Sequence, residues 1–343
     1  MRKALALALF TALAVPAMSH AQALFDIKLV APDVYAAIAR PHRPENANSA
    51  FILLDDGVLV VDTSSTPSSA RALIAEVRKL TPKPVRWIVN THFHWDHYWG
   101  NQVLVEAFPG AEIISSQRAR QDMERMGLGN RLLPRWGMEL PATIADWKRQ
   151  LAETTELDRR QRLTERIRGW EAALPELESM RPMLPTLTFE CRMVLRSGGR
   201  TVELLWLGRS HTAGDMVVYL PQERVIAAGD LLAGDTPYVA DITPYDWIRT
   251  FEVLEKLDFD IAIPGHSEVM AGKEKLRLWK EYFRDLMAET ENAYAGGTTL
   301  EDTVKQVGAR LVEKYRDRFA ADFPQAVEGN VSAAYRIVSG GQN

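Results

Sequence analysis

The chain predicts an α/β fold, and three features of its 343 residues lead there. Strand and helix signals alternate from about residue 30 to 270, the histidine-bearing segments follow the ends of apolar strands, and everything after His266 reads as helix. Val30 to Ala39 and Ala50 to Asp62 are rich in apolar residues, and Asp56-Gly57 inside the second stretch signals a hairpin turn. Thr66-Pro67 opens a helix. Threonine caps its free amides, proline suits its first position, and Leu73, Ile74, Val77 and Leu80 form an apolar face before Pro82 and Pro84 end it. Val85 to Val89 is a short strand running directly into Asn90-Thr91-His92. The arrangement recurs: Val202 to Leu207 leads to His211, Arg224 to Ala228 leads to Gly229-Asp230, and Ile261 to Pro264 leads to His266. Four strand ends therefore deliver polar side chains to one edge of a sandwich, where a rigid sheet can hold chemically active loops.

A helical insertion is expected over about 117–182. Ile144, Trp147 and Leu151 make one apolar stripe, and Leu163, Ile167, Trp170, Leu174 and Leu177 another, with Glu153 to Arg160 polar between them. This is a helical hairpin, with Pro175 expected to break or kink its second helix. Its apolar faces are expected to pack on each other or on the sandwich, and the hairpin could in addition form a substrate wall, offering Trp136, Met138 and Trp147, or a subunit interface that would make the chain a homo-oligomer. The C-terminal region, about 273–338, predicts three helices. Lys273 to Tyr294 carries Leu276, Trp279, Phe283 and Leu286 on one face, Thr298 with Glu301 caps a helix to about Phe319, and Pro324 starts the last. With no internal repeat or low-complexity linker, residues 22–343 are expected to form a single domain.

The first residues stand apart. Arg2 and Lys3 precede an apolar run from Ala4 to Ala17, then small residues at Ser19, Ala21 and Ala23, the layout of a cleavable secretory signal over 1–21. Cleavage after Ala21 or Ala23 would leave a periplasmic or secreted protein. No later segment approaches about twenty uninterrupted apolar residues, so no membrane anchor is expected after cleavage. The net charge of −4 becomes more negative once Arg2 and Lys3 are removed, which disfavours nucleic acid as a partner and favours a small-molecule substrate. Cys191 is the lone cysteine, cannot form an internal disulfide, and reads as a strand residue.

Five of the seven histidines fall into one pattern, His92-Phe93-His94-Trp95-Asp96-His97, His211 and His266. Imidazole and carboxylate are the donors a divalent ion such as zinc takes at neutral pH, and two ions would use all of them. Of the other two, His20 leaves with the signal and His42 is expected on a surface loop.

Thr91 to His97, Gly100-Asn101, His211-Thr212-Ala213-Gly214-Asp215, Gly229-Asp230 and Pro264-Gly265-His266 together resemble the metallo-β-lactamase superfamily, in order from about Val30 to Met270. The resemblance implies a four-layer αββα sandwich, into which the helical hairpin is inserted. It implies His92, His94 and His211 as ligands of one metal, Asp96, His97 and His266 as ligands of a second, and Asp230 as the bridge. Asp62 resembles the family's buried aspartate that supports the site. The commonest zinc β-lactamases carry cysteine where this chain has Asp230. An aspartate there resembles the thioesterase, lactonase, phosphodiesterase and sulfatase branches, and admits iron or manganese beside zinc.

The chemistry expected is hydrolysis. Two cations about 3.5 Å apart would share a water, lower its pKa, and present hydroxide to an electrophilic centre. Asp96 would orient that nucleophile and pass a proton to the leaving group, so Ser210 is not needed as a nucleophile. Thr212 and Asp215 are expected to hold the His211 loop, and Tyr238 and Trp136 are candidates for touching substrate. The expected function is an exported dinuclear metallo-hydrolase of a small ester, lactone, thioester or related compound. A genuine β-lactamase and a non-enzymatic periplasmic metal-binding or partner-binding protein are the alternatives.

Overall fold

A computed structural model describes residues 24–40, 47–128, 135–239, 243–321 and 323–340. The expected signal segment and His42 lie outside the described residues.

The first sheet contains seven strands in sequential order. β1 (Phe25–Ala31), β2 (Val34–Ala39), β3 (Ser49–Leu54) and β4 (Gly57–Val61) form an antiparallel meander. The hairpin read from Asp56-Gly57 is present, but its two turn residues are Asp55 and Asp56, and Gly57 already pairs with Leu54 as the first residue of β4. The stretch read as Val30 to Ala39 instead contains a second turn at Pro32-Asp33, where Asp33 takes a positive φ of 60°. α1 (Pro67–Leu80) follows, its Thr66 side chain accepting from the Ser69 amide. β5 (Val85–Val89) then lies parallel to β4. After α2 (Trp95–Tyr98) and α3 (Asn101–Ala107), β6 (Glu112–Ser116) extends the parallel half.

α4 (Gln117–Asp122), α5 (Arg135–Glu153) and α6 (Leu157–Ser179) make up the helical insertion, and β7 (Leu187–Phe189) closes the first sheet. The helix α6 passes through Pro175 without a break. The proline ring is exposed, and Leu174 and Leu177 hold the turn from the buried side. Cys191 is not in a strand; it is exposed in the bend between β7 and β8 (Arg192–Ser197).

The second sheet has the order β13-β12-β11-β10-β9-β8, comprising β9 (Arg200–Leu205), β10 (Val217–Leu220), β11 (Val225–Gly229), β12 (Ile261–Pro264) and β13 (Met270–Ala271). Its pairs are antiparallel except β11 with β12. α7 (Pro244–Leu254) connects β11 to β12, and α8 (Glu274–Ala295), α9 (Leu300–Tyr315) and α10 (Phe323–Val338) complete the chain. The cap of α9 is Thr299 with Asp302, one residue later than expected. Gly297, at φ 77°, ends α8 in a turn that engages the Thr298 amide with Ala293, leaving Thr299 as the first residue free to cap. That helix also stops at Tyr315, short of Phe319.

Strand periodicity shows how these parts form four layers. All of β4 is buried, with Leu59 and Val61 facing the second sheet and Val58 and Val60 facing α1. On the second sheet, Val218 and Ala227 join the layer between sheets, while Val217, Ile226 and Ala228 pack under α7 and α8. The architecture is therefore the αββα sandwich expected. Among the described residues no helix is long and apolar enough to cross a membrane.

Candidate metal centre

The carboxyl ends of β4, β5, β9, β11 and β12 open onto one edge of the sandwich. β5 leads to His92, His94, Asp96 and His97, and β9 leads to His211. From β11 and β12 come Asp230 and His266. The ligating atoms of His92, His94, His211 and Asp230 all lie within 4.8 Å of one another, and those of Asp96, His97 and His266 form a second such group.

Asp230 joins the groups. Its Oδ2 is 3.4 Å from His211 Nε2 and 4.0 Å from His92 Nε2. Its Oδ1 is 3.3 Å from His97 Nε2 and 3.4 Å from His266 Nε2. Two glycines permit this approach. A Cβ on Gly265 would strike Asp230 Oδ1, and one on Gly229, whose φ is 50°, would strike the Thr91 side chain.

Asp62 sets the imidazole tautomers. Its Oδ1 accepts from the Thr91 amide at 2.8 Å, and its Oδ2 accepts from Thr91 Oγ1 at 2.8 Å. Having given its proton away, the Thr91 hydroxyl accepts from His92 Nδ1 at 3.1 Å. Asp62 Oδ2 also accepts from His97 Nδ1 at 2.7 Å. Both rings therefore carry their proton on Nδ1 and turn Nε2 into the site. Asp62 has a left-handed backbone, φ 57°, costing an L-residue about 1–2 kcal/mol. Hydrogen bonds to a charged group contribute about 1.5–3 kcal/mol each, so its three donors outweigh that strain.

The His211 loop is held by Asp215, which accepts from Ser210 Oγ at 2.7 Å, the Thr212 amide at 2.6 Å and Thr212 Oγ1 at 2.9 Å. Burial nevertheless pushes the Asp215 carboxyl up to about 6. Asn48 secures the His266 loop, its Nδ2 donating to the carbonyls of Pro264 at 3.0 Å and Ser267 at 2.8 Å. Beneath His211 lies Trp247, with ring centroids 5.6 Å apart. Thr91, Asn48 and Trp247 carried no sequence signal for this work, apart from the position of Thr91 beside His92.

The donors fit divalent cations. His92 Nε2 is buried without a hydrogen-bond partner, a state that costs about 1–3 kcal/mol, and His97 Nε2 faces only the carboxylates of Asp230 and Asp96. Burial holds His92 well below the usual imidazole range. Burial also opposes charge on His97, but Asp230, Asp96 and Asp62 overcome it and raise its pKa well above normal. His266, against the same burial, is pushed up to about 9 by Asp230 and Asp96. Without a cation the second group thus retains protons that a cation would displace.

The model of the metallo-beta-lactamase superfamily matches residues 42–266. The chain belongs to that superfamily. Among curated relatives, this superfamily member is 26% identical over 276 residues to a linear primary-alkylsulfatase from Pseudomonas sp., covering 74% of this chain and 48% of the relative. It is 25% identical over 229 residues to a type 2 metallo-beta-lactamase from Bacillus cereus, covering 65% of this chain and 68% of the relative. The chain thus spans about half the length of the alkylsulfatase. The solved structure of a stereoselective inverting sec-alkylsulfatase from Pseudomonas sp. matches with a TM-score of 0.61 at 19% identity, over 91% of this chain and 50% of that one. That last likeness concerns the fold.

Within this superfamily member the structure brings His92, His94, Asp96, His97, His211, Asp230 and His266 together, with Asp62 directly behind them. The candidates for substrate contact are placed differently. Tyr238 is exposed on a loop pinned by Asn330 of α10, which donates to Pro237 O at 2.9 Å and accepts from the Val239 amide at 2.9 Å. Trp136 sits in the first turn of α5, and its side chain lies outside the described residues, as does that of Met138. Trp147 packs within the hairpin, under Arg166.

Proposed function

We propose that this protein is a dinuclear metal-dependent hydrolase of a small organic ester, with an alkyl sulfate the first substrate to test, and that zinc is its first-choice ion ahead of iron or manganese. The observation that carries the reading is Asp230, whose two oxygens face separate histidine groups. His92, His94 and His211 would hold one cation, and Asp96, His97 and His266 the other. When bound, such a pair supplies an acidified water and neutralises charge developing on the scissile group.

The chain's own residues account for the rest. Asp96 Oδ2 lies 3.4 Å from His266 Nε2 and 3.6 Å from His97 Nε2, on a side chain 17% exposed. From that half-open position the carboxylate would accept a hydrogen bond from the attacking water, orient it, and carry its proton to the leaving oxygen. Phe93, whose ring centroid is 4.6 Å from that of His94, supplies apolar surface beside the cluster. The likeness to an alkylsulfatase supports the choice of a sulfate ester over a lactone or thioester. β-Lactam cleavage is the second reading, favoured by the likeness to the Bacillus enzyme and opposed by aspartate at position 230.

The deciding experiment measures metal per chain, then turnover of an alkyl sulfate, a thioester, a lactone and a cephalosporin by the same sample. Two ions with fastest turnover of the alkyl sulfate support the proposal. Preference for the cephalosporin favours the second reading. One ion or none, with no turnover after zinc, iron or manganese loading, points to a metal-binding or partner-binding role. Export belongs to the same proposal, supported by the basic-then-apolar start, and a mature N-terminus at Gln22 or Leu24 in the periplasm or medium is its test.

A further inference from the structure

The helix carrying Asp96 and His97 is a single turn, α2, and its preceding residue His94 makes no side-chain cap. A helix this short has no stability of its own, so its orientation depends on what packs against it. One side is tied to the sandwich, where His97 O accepts from the Thr63 amide at 2.8 Å. On the other side stand aromatic rings. Trp95, the first residue of α2, lies 5.3 Å from Trp99 and 5.6 Å from Trp170 of α6, measured between ring centroids.

The helix α6 is itself anchored away from α2. Glu176 accepts from the Ser68 amide at 2.7 Å, at the start of α1, and just beyond the helix the Arg181 amide donates to Gln102 Oε1 at 2.8 Å. Trp170 is therefore a fixed surface against which Trp95 rests. Tyr98, Trp99 and Met123 continue the same apolar cluster into the hairpin.

We propose that Trp170 is a positioning residue. Through Trp95 it sets the orientation of α2 and aims Asp96 and His97 at the second cation. This rests on the assignment of Asp96, His97 and His266 to that cation. The other face of α2 and the His92 and His211 loops are also held by hydrogen bonds to the sandwich, and only Phe93 of the His92–His94 segment joins the apolar cluster of Trp170, so the effect falls mainly on the second cation. Trp147 provides the control: it borders the same apolar cluster, but its ring meets Arg166, with ring centroid and guanidinium carbon 5.0 Å apart, whereas the ring of Trp170 meets Trp95.

The test is a Zn²⁺ titration of the metal-free full chain, competed against a chromophoric chelator, for wild type, Trp170→Ala, Trp170→Phe and Trp147→Ala. Trp170→Ala is expected to keep the tighter binding event within about twofold and to weaken the other roughly tenfold, the lower end of the cost of losing a ligand's support. Trp170→Phe restores most of that loss, and Trp147→Ala leaves both events in place. If Trp170→Ala fails to fold by circular dichroism, Trp170→Leu replaces it in the same comparison. Two events unchanged in the alanine variant, or weakened equally, overturn the positioning role alone. A wild-type chain that binds only one ion removes the two-cation reading and this inference together.

Discussion

The two ligand groups are built from the same kinds of donor, yet the fold holds them differently. His92 and His211 are buried, the first braced by the Thr91 and Asp62 chain of hydrogen bonds, the second by the Asp215 network and by Trp247. In the other group only His97 is sealed. His266 is 30% exposed, and Asp96 depends on a one-turn helix. Apart from the half-buried His94, the first group is sealed and braced, while the second is the more open to solvent. Equal chemistry therefore predicts unequal retention of metal.

The largest effect should come from removing what the groups share. Asp230→Ala is expected to lower affinity for both cations by at least about 100-fold, read by elemental analysis after gel filtration; one cation held at wild-type strength would show that Asp230 does not bridge. Asp96→Asn should retain the first cation and lose about 10²–10⁴ in turnover, and retained turnover would sink Asp96 as the proton carrier. Asp62→Asn sharpens the comparison. An amide facing His97 Nδ1 reverses that ring's tautomer, so the second cation should weaken about 10–100-fold and the first less, as measured by chelator competition. Mildest of all, a dilute chelator acting on wild type should remove the cations in two phases, with His266→Ala showing only the slower phase. A single phase in wild type would mean that the exposure difference has no consequence for binding.

Much of this was legible because the chemistry demands particular residue types. Histidines and aspartates just beyond apolar strands mark the site edge, and alternating strand and helix patterns mark the layers. The misses were of two physical kinds. Local competition decided one: the Gly297 turn consumed the Thr298 amide and moved the cap of α9 to Thr299. Long-range packing decided the others. Asn48 reaches the His266 loop across more than two hundred residues, Asn330 fixes the Tyr238 loop, and Trp170 rather than Trp147 meets the metal loop. No local period encodes those meetings.

The ligand-bearing loops spring from both sheets, His92 to His97 from the first and His211, Asp230 and His266 from the second. Any ion held between them is a rivet through the sandwich, in a chain whose single cysteine offers no covalent alternative. Heat resistance then becomes a property of the medium as much as of the polypeptide. Free metal at a hundred times its dissociation constant adds about 2.7 kcal/mol to the folded state, so the melting temperature climbs with supply and metal-poor surroundings would leave a more perishable protein.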